Sequence, residues 1–318
     1  MVKFKKAIGI IILLNLMIIL FFSGCAQNEA EEDKLVFGYS TPSLQNSFWI
    51  SVSSAMQESA DEHGVELYLR DGASNTAKQA ADIEDLIEQD VDVMLITPYD
   101  SLSLTPSIKE VNKAGIPLII VDIGVKDPEI EYDCFIVTDN YRGGKLAAAW
   151  LAGYIKENEI QDPLVATIEA QLGAENARER HRGFVEVMGR NGIPVIEGYP
   201  ADSLKDKAMI IMEDLLQTHP DITAVFGECD DMALGALQAI RQAQADTIVV
   251  GYDGNFAACE EIKKGSNLMA DIDQRPEEMG RLAIEIGLKI LNGEKFNKEI
   301  KINPVLIVRD NVDEFLNK

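Results

Sequence analysis

From Leu35 onward, short apolar runs alternate with longer stretches in which apolar residues recur every three or four positions. The runs LVFGYS, VELYLRDG, VMLITP, IPLIIVD and CFIVTD read as strands, and LVATIEA, PVIEGYPAD, TAVFGECD, TIVVGYD and LMADIDQ continue the series. These runs are short and apolar, as strands are. Between them lie helical patterns: AADIEDLIEQD sets Ala80, Ile83, Leu86 and Ile87 on one face and turns its acids away. Strands alternating with helices predict an α/β fold of βαβ units, with parallel sheets covered on both faces. The length fits two such sheets of about five strands each. The chain leaves the first sheet near Thr138 to Asn140, and the late helix PEEMGRLAIEIGLKILNGE and strand PVLIVRD return to the lobes in turn.

The N-terminus interrupts this rhythm. Lys3, Lys5 and Lys6 precede a sixteen-residue apolar run, Ala7 to Phe22, broken only by Asn15. The run is shorter than the ~20 apolar residues of a spanning helix, so residues 1–24 read as a secretory signal peptide. Ser23 and Gly24 before Cys25 resemble a bacterial lipobox, which implies a lipidated Cys25 as mature N-terminus and an anchor at the outer face of the cytoplasmic membrane. The polar, acidic stretch over 25–34 then serves as a tether. Formal charge is −24, and loss of the signal's three lysines takes it to −27. Such a chain is not expected to bind nucleic acid or anionic membrane surfaces. About 280 residues remain, more than one core usually organises, which again points to two lobes.

Four cysteines, Cys25, Cys134, Cys229 and Cys259, form no C-x-x-C pair, and no histidine sits at metal-ligand spacing. Neither a disulfide framework nor a metal site is expected. Cys134 and Cys259 read as buried small hydrophobes. There is no G-x-G-x-x-G, phosphate-binding G-x-x-x-x-G-K-[ST], G-x-S-x-G or H-E-x-x-H, so no cofactor and no enzyme activity are expected. His63 and His219 read as surface punctuation at helix ends.

In open parallel sheets, ligands bind beyond the carboxyl ends of the strands. Those ends carry Ser40 with the loop to Asn46, Phe48 and Trp49; Thr97; Asp122 and Ile123; Thr138 and Asp139; Gln171; Cys229 and Asp230; Tyr252 and Asp253; and Gln274. Carboxylates that accept from hydroxyls, amides or an arginine that donate, and flat rings against a C–H face suit a small polyhydroxylated molecule. Asp139 and Asp230 are expected to cap helices, whereas Asp122 and Asp253, each ending a strongly apolar strand, are assigned to the ligand. The segment ARERHRGF concentrates three arginines in an acidic chain. On a helix starting near Glu175, Ala177, His181, Phe184, Val185 and Met188 share the apolar face, Arg178 and Arg182 meet solvent or acids, and Arg180 alone can reach a cleft.

VTDNYRGGKLAA, ARERHRGF, PDITAVFGECDDMALGALQAI, VVGYDG and DQRPEEMGRLA together resemble the ribose-binding type of substrate-binding lipoprotein, among the periplasmic binding proteins that serve ABC sugar importers. The resemblance spans about Lys34 to Arg309. It implies two Rossmann-like lobes joined by a three-segment hinge, with crossings near Thr138, Gln274 and Asn303 and a ligand cleft between the lobes. The lobes would comprise 35–138 plus 275–303, and 139–274 plus 304–318. By the same resemblance, Asn46, Phe48, Trp49, Asp122, Arg180, Asp253 and Gln274 match sugar contacts, and Thr138 falls at a contact position. Ile123 stands where a ribose binder has arginine, Thr97 and Cys229 where it has asparagines, and Gln171 and Ser203 at apolar and aromatic positions. These departures turn the expectation from ribose toward another neutral monosaccharide, a sugar alcohol or a deoxy sugar, with a cationic amino sugar also compatible. Two aspartates against Arg180 leave a site of charge −1, which disfavours acidic and phosphorylated sugars. The expected role is that of a monomeric receptor delivering its solute to an ABC permease. A sensor of the same fold, signalling to a chemoreceptor or sensor kinase, is the alternative.

Overall fold

The computed structural model describes residues 34–171 and 173–317. The expected signal peptide over 1–24 and the expected lipidation site Cys25 lie outside the described residues.

In chain order the first series is β1 (Val36–Thr41), α1 (Ser47–His63), β2 (Glu66–Asp71), α2 (Thr76–Glu88), β3 (Val93–Ile96), α3 (Thr105–Ala114), β4 (Leu118–Val121) and β5 (Cys134–Thr138). The second is α4 (Asn140–Glu157), β6 (Val165–Ile168), α5 (Glu175–Arg190), β7 (Val195–Ile196), α6 (Lys205–Thr218), β8 (Ala224–Gly227), α7 (Asp230–Ala243), β9 (Ile248–Val250), α8 (Phe256–Lys264) and β10 (Leu268–Asp273). The chain ends with α9 (Pro276–Leu291), β11 (Glu299–Ile302), β12 (Val305–Val308) and α10 (Asp313–Leu316).

Two sheets result, ordered β2-β1-β3-β4-β5-β11 and β7-β6-β8-β9-β10-β12. Every residue of β3, β4, β6 and β8 is buried, which is why these strands read as unbroken apolar runs. Helix starts are set by short polar side chains: Asn46 accepts from the amides of Phe48 and Trp49, and Asp139 from that of Arg142. Helix α9 packs on α1 of the first lobe although β10 precedes it in the second. The chain therefore crosses between sheets after β5, after β10 and between β11 and β12.

Each described sheet has six strands where about five were expected. The addition to the first is β11, whose sequence EIKI alternates charged and apolar residues on an edge and gives no long apolar run. Strand β12 pairs antiparallel with β10, the one antiparallel pairing among the described strands. The run PVIEGYPAD supplies only the two residues of β7 and a single bridge between Pro200 and Glu169.

The buried face of α5 is rotated from the expected one. Ala177, Phe184 and Met188 are buried with Arg180 and Gly183, while His181 and Val185 are only half-buried. Glycines explain the rotation. A Cβ on Gly144 would lie 1.9 Å from the Arg180 carbonyl oxygen, and one on Gly183 would lie 2.2 Å from that of Tyr141. The backbones of α4 and α5 approach closely there, and that approach buries Arg180 without an apolar neighbour that a periodicity could register.

Gly144→Ala is accordingly expected to wedge α4 from α5 and cost about 1–3 kcal/mol. Thermal unfolding should show a midpoint several degrees lower, and an unchanged midpoint would contradict the close crossing.

Candidate functional site

The order reversals next to β1 and β6 open a crevice at the carboxyl ends of both sheets, the place where ligands enter such folds. Asn46, Phe48, Trp49, Asp122 and Ile123 form one wall. Ala170, Gln171, Ala174, Asn176, Ala177, Arg180, Ser203, Cys229, Asp253 and Gln274 form the other. The room between them is about 40 Å³, against about 10–15 Å³ for one water. A sugar ring can enter only if the walls separate. They are held together by direct bonds across the cleft: Asn176 Nδ2 to Asp122 Oδ1 at 2.9 Å, Asn255 Nδ2 to Ser47 Oγ at 3.0 Å, and Asn46 Nδ2 to Asp231 Oδ2 at 3.4 Å.

Asp122 is 2% exposed and sits at φ +62°, at the centre of a three-residue turn in which the Ile123 amide donates to the Val121 carbonyl. A γ-turn of this hand is rare and strained, and such strain gathers at ligand sites. The turn lifts the carboxylate off the end of β4, where Oδ2 accepts from Trp49 Nε1 at 3.1 Å and Oδ1 from Asn176. Burial pushes its pKa up, opposed by the Trp49 bond, the Arg180 charge and the Asn176 bond. Asp253, 3% exposed and at φ +142°, accepts from Gln274 Nε2 at 2.6 Å. Burial, then the neighbouring Asp230 charge, drives its pKa well above the usual carboxylate range.

Arg180, 4% exposed, is the cation between them. Its guanidinium lies 3.6 Å over the Tyr252 ring, donates through Nη2 to Asn140 Oδ1 at 2.8 Å, and donates through Nη1 to the Glu228 carbonyl. One face is thus stacked and each of its three nitrogens has a protein acceptor, which fixes its position. The Oε1 of Gln274 is buried without a hydrogen-bond partner among the described residues. On the cleft wall it is an acceptor suited to a ligand hydroxyl.

Nine of the twelve ligand-contact candidates therefore meet in one pocket: Asn46, Phe48, Trp49, Asp122, Gln171, Arg180, Cys229, Asp253 and Gln274. The other three are placed elsewhere. Thr97 is fully buried behind the wall, 3.0 Å from the Tyr39 hydroxyl. Thr138 donates to the Gln274 carbonyl at 3.0 Å and lines a separate hinge-side groove. Tyr252 lies beneath Arg180 as its aromatic platform. Cys229 lines the pocket as a neutral thiol, because burial and the nearby Asp253 charge raise its pKa well above the usual value. Asn176 was missed. It lies one helical turn before Arg180, and that four-residue spacing was the available signal.

Asp139 caps α4, but Asp230 does not cap α7. Its two oxygens accept from the amides of Tyr252 at 3.1 Å and Asn255 at 2.7 Å, tying the loop after β9 to α7. It also pairs with the buried Asp271, whose pKa burial raises to about 7. A buried carboxyl pair retains a proton because two adjacent charges cannot both be sustained.

Behind the wall, His181 stands between two acids, Nδ1 at 2.6 Å from Glu228 Oε1 and Nε2 at 2.8 Å from Glu197 Oε2. The ring expected on the apolar face of α5 is thus held by carboxylates instead of apolar packing. Arg182 pairs with Glu179. Cys134, Cys229 and Cys259 are buried, and among the described residues no cluster of metal-ligating side chains occurs.

Residues 37–295 match the family described as the periplasmic binding protein domain. The chain is 34% identical over 305 residues to the ribose import binding protein of Bacillus subtilis (strain 168), covering 93% of this chain and 96% of that protein. Among solved structures it resembles a solute binding protein of an ABC transporter from Bacillus halodurans with bound myo-inositol, with TM-score 0.81, 27% identity, and 89% and 98% of the two chains covered. It also resembles the fructose-binding periplasmic domain of a hybrid two-component system, with TM-score 0.79, 25% identity, and 89% and 93% covered. The chain belongs to the periplasmic binding protein family, whose members bind solutes and are not enzymes.

The Asp230–Asp271 pair predicts a pH effect on stability. The folded chain holds Asp271 protonated to about pH 7, whereas the unfolded chain releases that proton near pH 4. Stability is therefore lost as pH rises between those values. Asp271→Asn should be more stable than the parent at pH 8 and lose that advantage near pH 4 in denaturant titrations. An advantage that does not change with pH would contradict the shared proton.

Proposed function

We propose that this chain is an extracytoplasmic receptor that encloses a neutral monosaccharide or sugar alcohol between its lobes and delivers it to an ABC permease. The observation that carries the reading is the pocket: two buried carboxylates, Asp122 and Asp253, face one immobilised guanidinium, with Phe48 and Trp49 beside them. Carboxylates accept from adjacent hydroxyls, Gln171, Asn176 and Gln274 supply further polar groups, and the rings cover a C–H face. The similarity to a ribose import binding protein and to a myo-inositol complex supports the same ligand class. The lobes would be 35–138 with 275–303 and 139–274 with 304–318, and the monomer would be held by lipid on Cys25 after removal of residues 1–24. That places it in the periplasm or at the cell surface.

Ligand charge follows from the same groups. Arg180 is the one cationic side chain among the described lining residues, and three of its five N–H groups donate to Asn140 and Glu228. A phosphate would meet two carboxylates against a single cation, whereas a neutral polyol meets acceptors and the remaining guanidinium N–H groups. A second reading, a sensor that passes the closed state to a signalling protein, is supported by the likeness to the fructose-binding domain of a two-component system.

A thermal-shift screen over pentoses, hexoses, polyols, amino sugars and sugar phosphates tests the ligand class. A true ligand at 100 times its Kd stabilises by about 2.7 kcal/mol, and a shift confined to sugar phosphates would overturn the reading. Arg180→Ala should weaken the sugar found by about a hundredfold, the scale of a lost charge-assisted bond, while cooperative unfolding persists. Retained affinity would remove Arg180 from the site.

A further inference from the structure

The second-lobe wall draws on separate segments: Ala170 and Gln171 follow β6, Arg180 stands on α5, and Cys229 precedes α7. Behind it, just beyond β7, lies Glu197. One residue on α5 reaches Ala170, Arg180 and the segment of Cys229 through a single partner, Glu228. His181 holds Glu228 Oε1 at 2.6 Å and Glu197 Oε2 at 2.8 Å. The other oxygen of Glu228, Oε2, accepts the Ala170 amide at 3.0 Å, and the Glu228 carbonyl accepts Arg180 Nη1. A neutral imidazole has one N–H and one lone pair, so it cannot donate to two carboxylates. Between two ionised carboxylates, these distances fit the doubly protonated ring.

We propose that His181, as an imidazolium clamped between Glu228 and Glu197, is a positioning residue for the binding wall: it fixes the Glu228 carboxylate and carbonyl that hold Ala170 and Arg180 in place. Glu228 is 1% exposed, so without the ring it would be a buried carboxylate left with the Ala170 amide alone, and either protonation or displacement would shift the wall. The inference rests on the sugar-site reading above for its effect on affinity, but not for its effect on the wall. The charged groups facing the ring are Glu228 from the segment after β8, Glu197 from that after β7, and Glu169 from that after β6; Arg178 on α5 lines the same hollow. The Glu228 bond, outweighing desolvation, with the Glu197 bond and the Glu169 charge, raises the ring's pKa to about 9. The clamp is thus closed at neutral pH and released as pH climbs through that value.

The test follows the His181 ring nitrogens and the Ala170 amide by NMR in the full chain, without sugar, from pH 6 to 10.5. Calorimetric titrations with D-ribose, D-allose and myo-inositol run alongside. Ring and amide should titrate together near pH 9. Affinity for the tightest sugar should be constant between pH 6 and 8 and about tenfold weaker at pH 10, the loss expected of one charge-assisted bond. His181→Gln should be about tenfold weaker at pH 7 and flat with pH. Glu197→Gln, on the exposed side, should move the transition to lower pH because one stabilising anion is gone. An Ala170 amide that ignores the ring, or a His181→Gln protein with wild-type affinity and pH profile, overturns the proposal. If none of the three sugars binds while Ala170 still follows the ring, the wall positioning stands and the sugar reading is what fails.

Discussion

The buried guanidinium of Arg180 is the constraint to which the rest of the cleft answers. A cation removed from water must be neutralised and hydrogen-bonded in place. Here a tyrosine ring, an asparagine oxygen, a backbone carbonyl and three acids within electrostatic reach share that task. Those partners come from α4, the segment after β8, the end of β9 and, across the cleft, the end of β4. Satisfying one charge thereby ties together both lobes. The close α4–α5 crossing at Gly144 and Gly183 brings the arginine within reach of Asn140.

Fixing the cation leaves the opposite wall to be set by weaker means. Asp122 stands on a strained turn and is steered by the Trp49 indole from its own lobe and by Asn176 from the other. Its bond to Asn176 is available only when the walls are together. A sugar hydroxyl that took the place of the Asn176 amide would preserve the carboxylate's satisfaction, so ligand and protein compete for the same lone pair. Closure without ligand and closure around it are alternative ways of meeting one demand.

Much of this was legible in the chain because fully buried parallel strands announce themselves as apolar runs and their last residues point to the crevice. Asp122, Asp253 and Gln274 were found by that rule, Arg180 by its place on a helix, and all four by the resemblance to ribose-binding proteins. The rule says which loops face the crevice, not how deep each side chain lies. Thr97 and Tyr252 follow the same strands but form the layer behind. Asp230 stands at the start of an apolar helix where a cap would, yet its carboxylate turns to two amides of the loop after β9, which are distant in sequence. The face of α5 was misjudged because glycine, which carries no hydropathy signal, made the contact. Strand β11 escaped because an edge strand needs little apolar character.

The last strands have a consequence for how the molecule is made. β11 completes the first sheet by pairing with β5, and β12 completes the second by pairing with β10. They are consecutive in the chain, separated by Asn303 and Pro304. During synthesis the edge of each sheet stays unpaired until this segment emerges, so neither lobe can close its sheet ahead of the other. Pairing β11 with β5 also brings together residues far apart in sequence, which slows folding. The two lobes, each with a sheet of its own, are completed by one short segment.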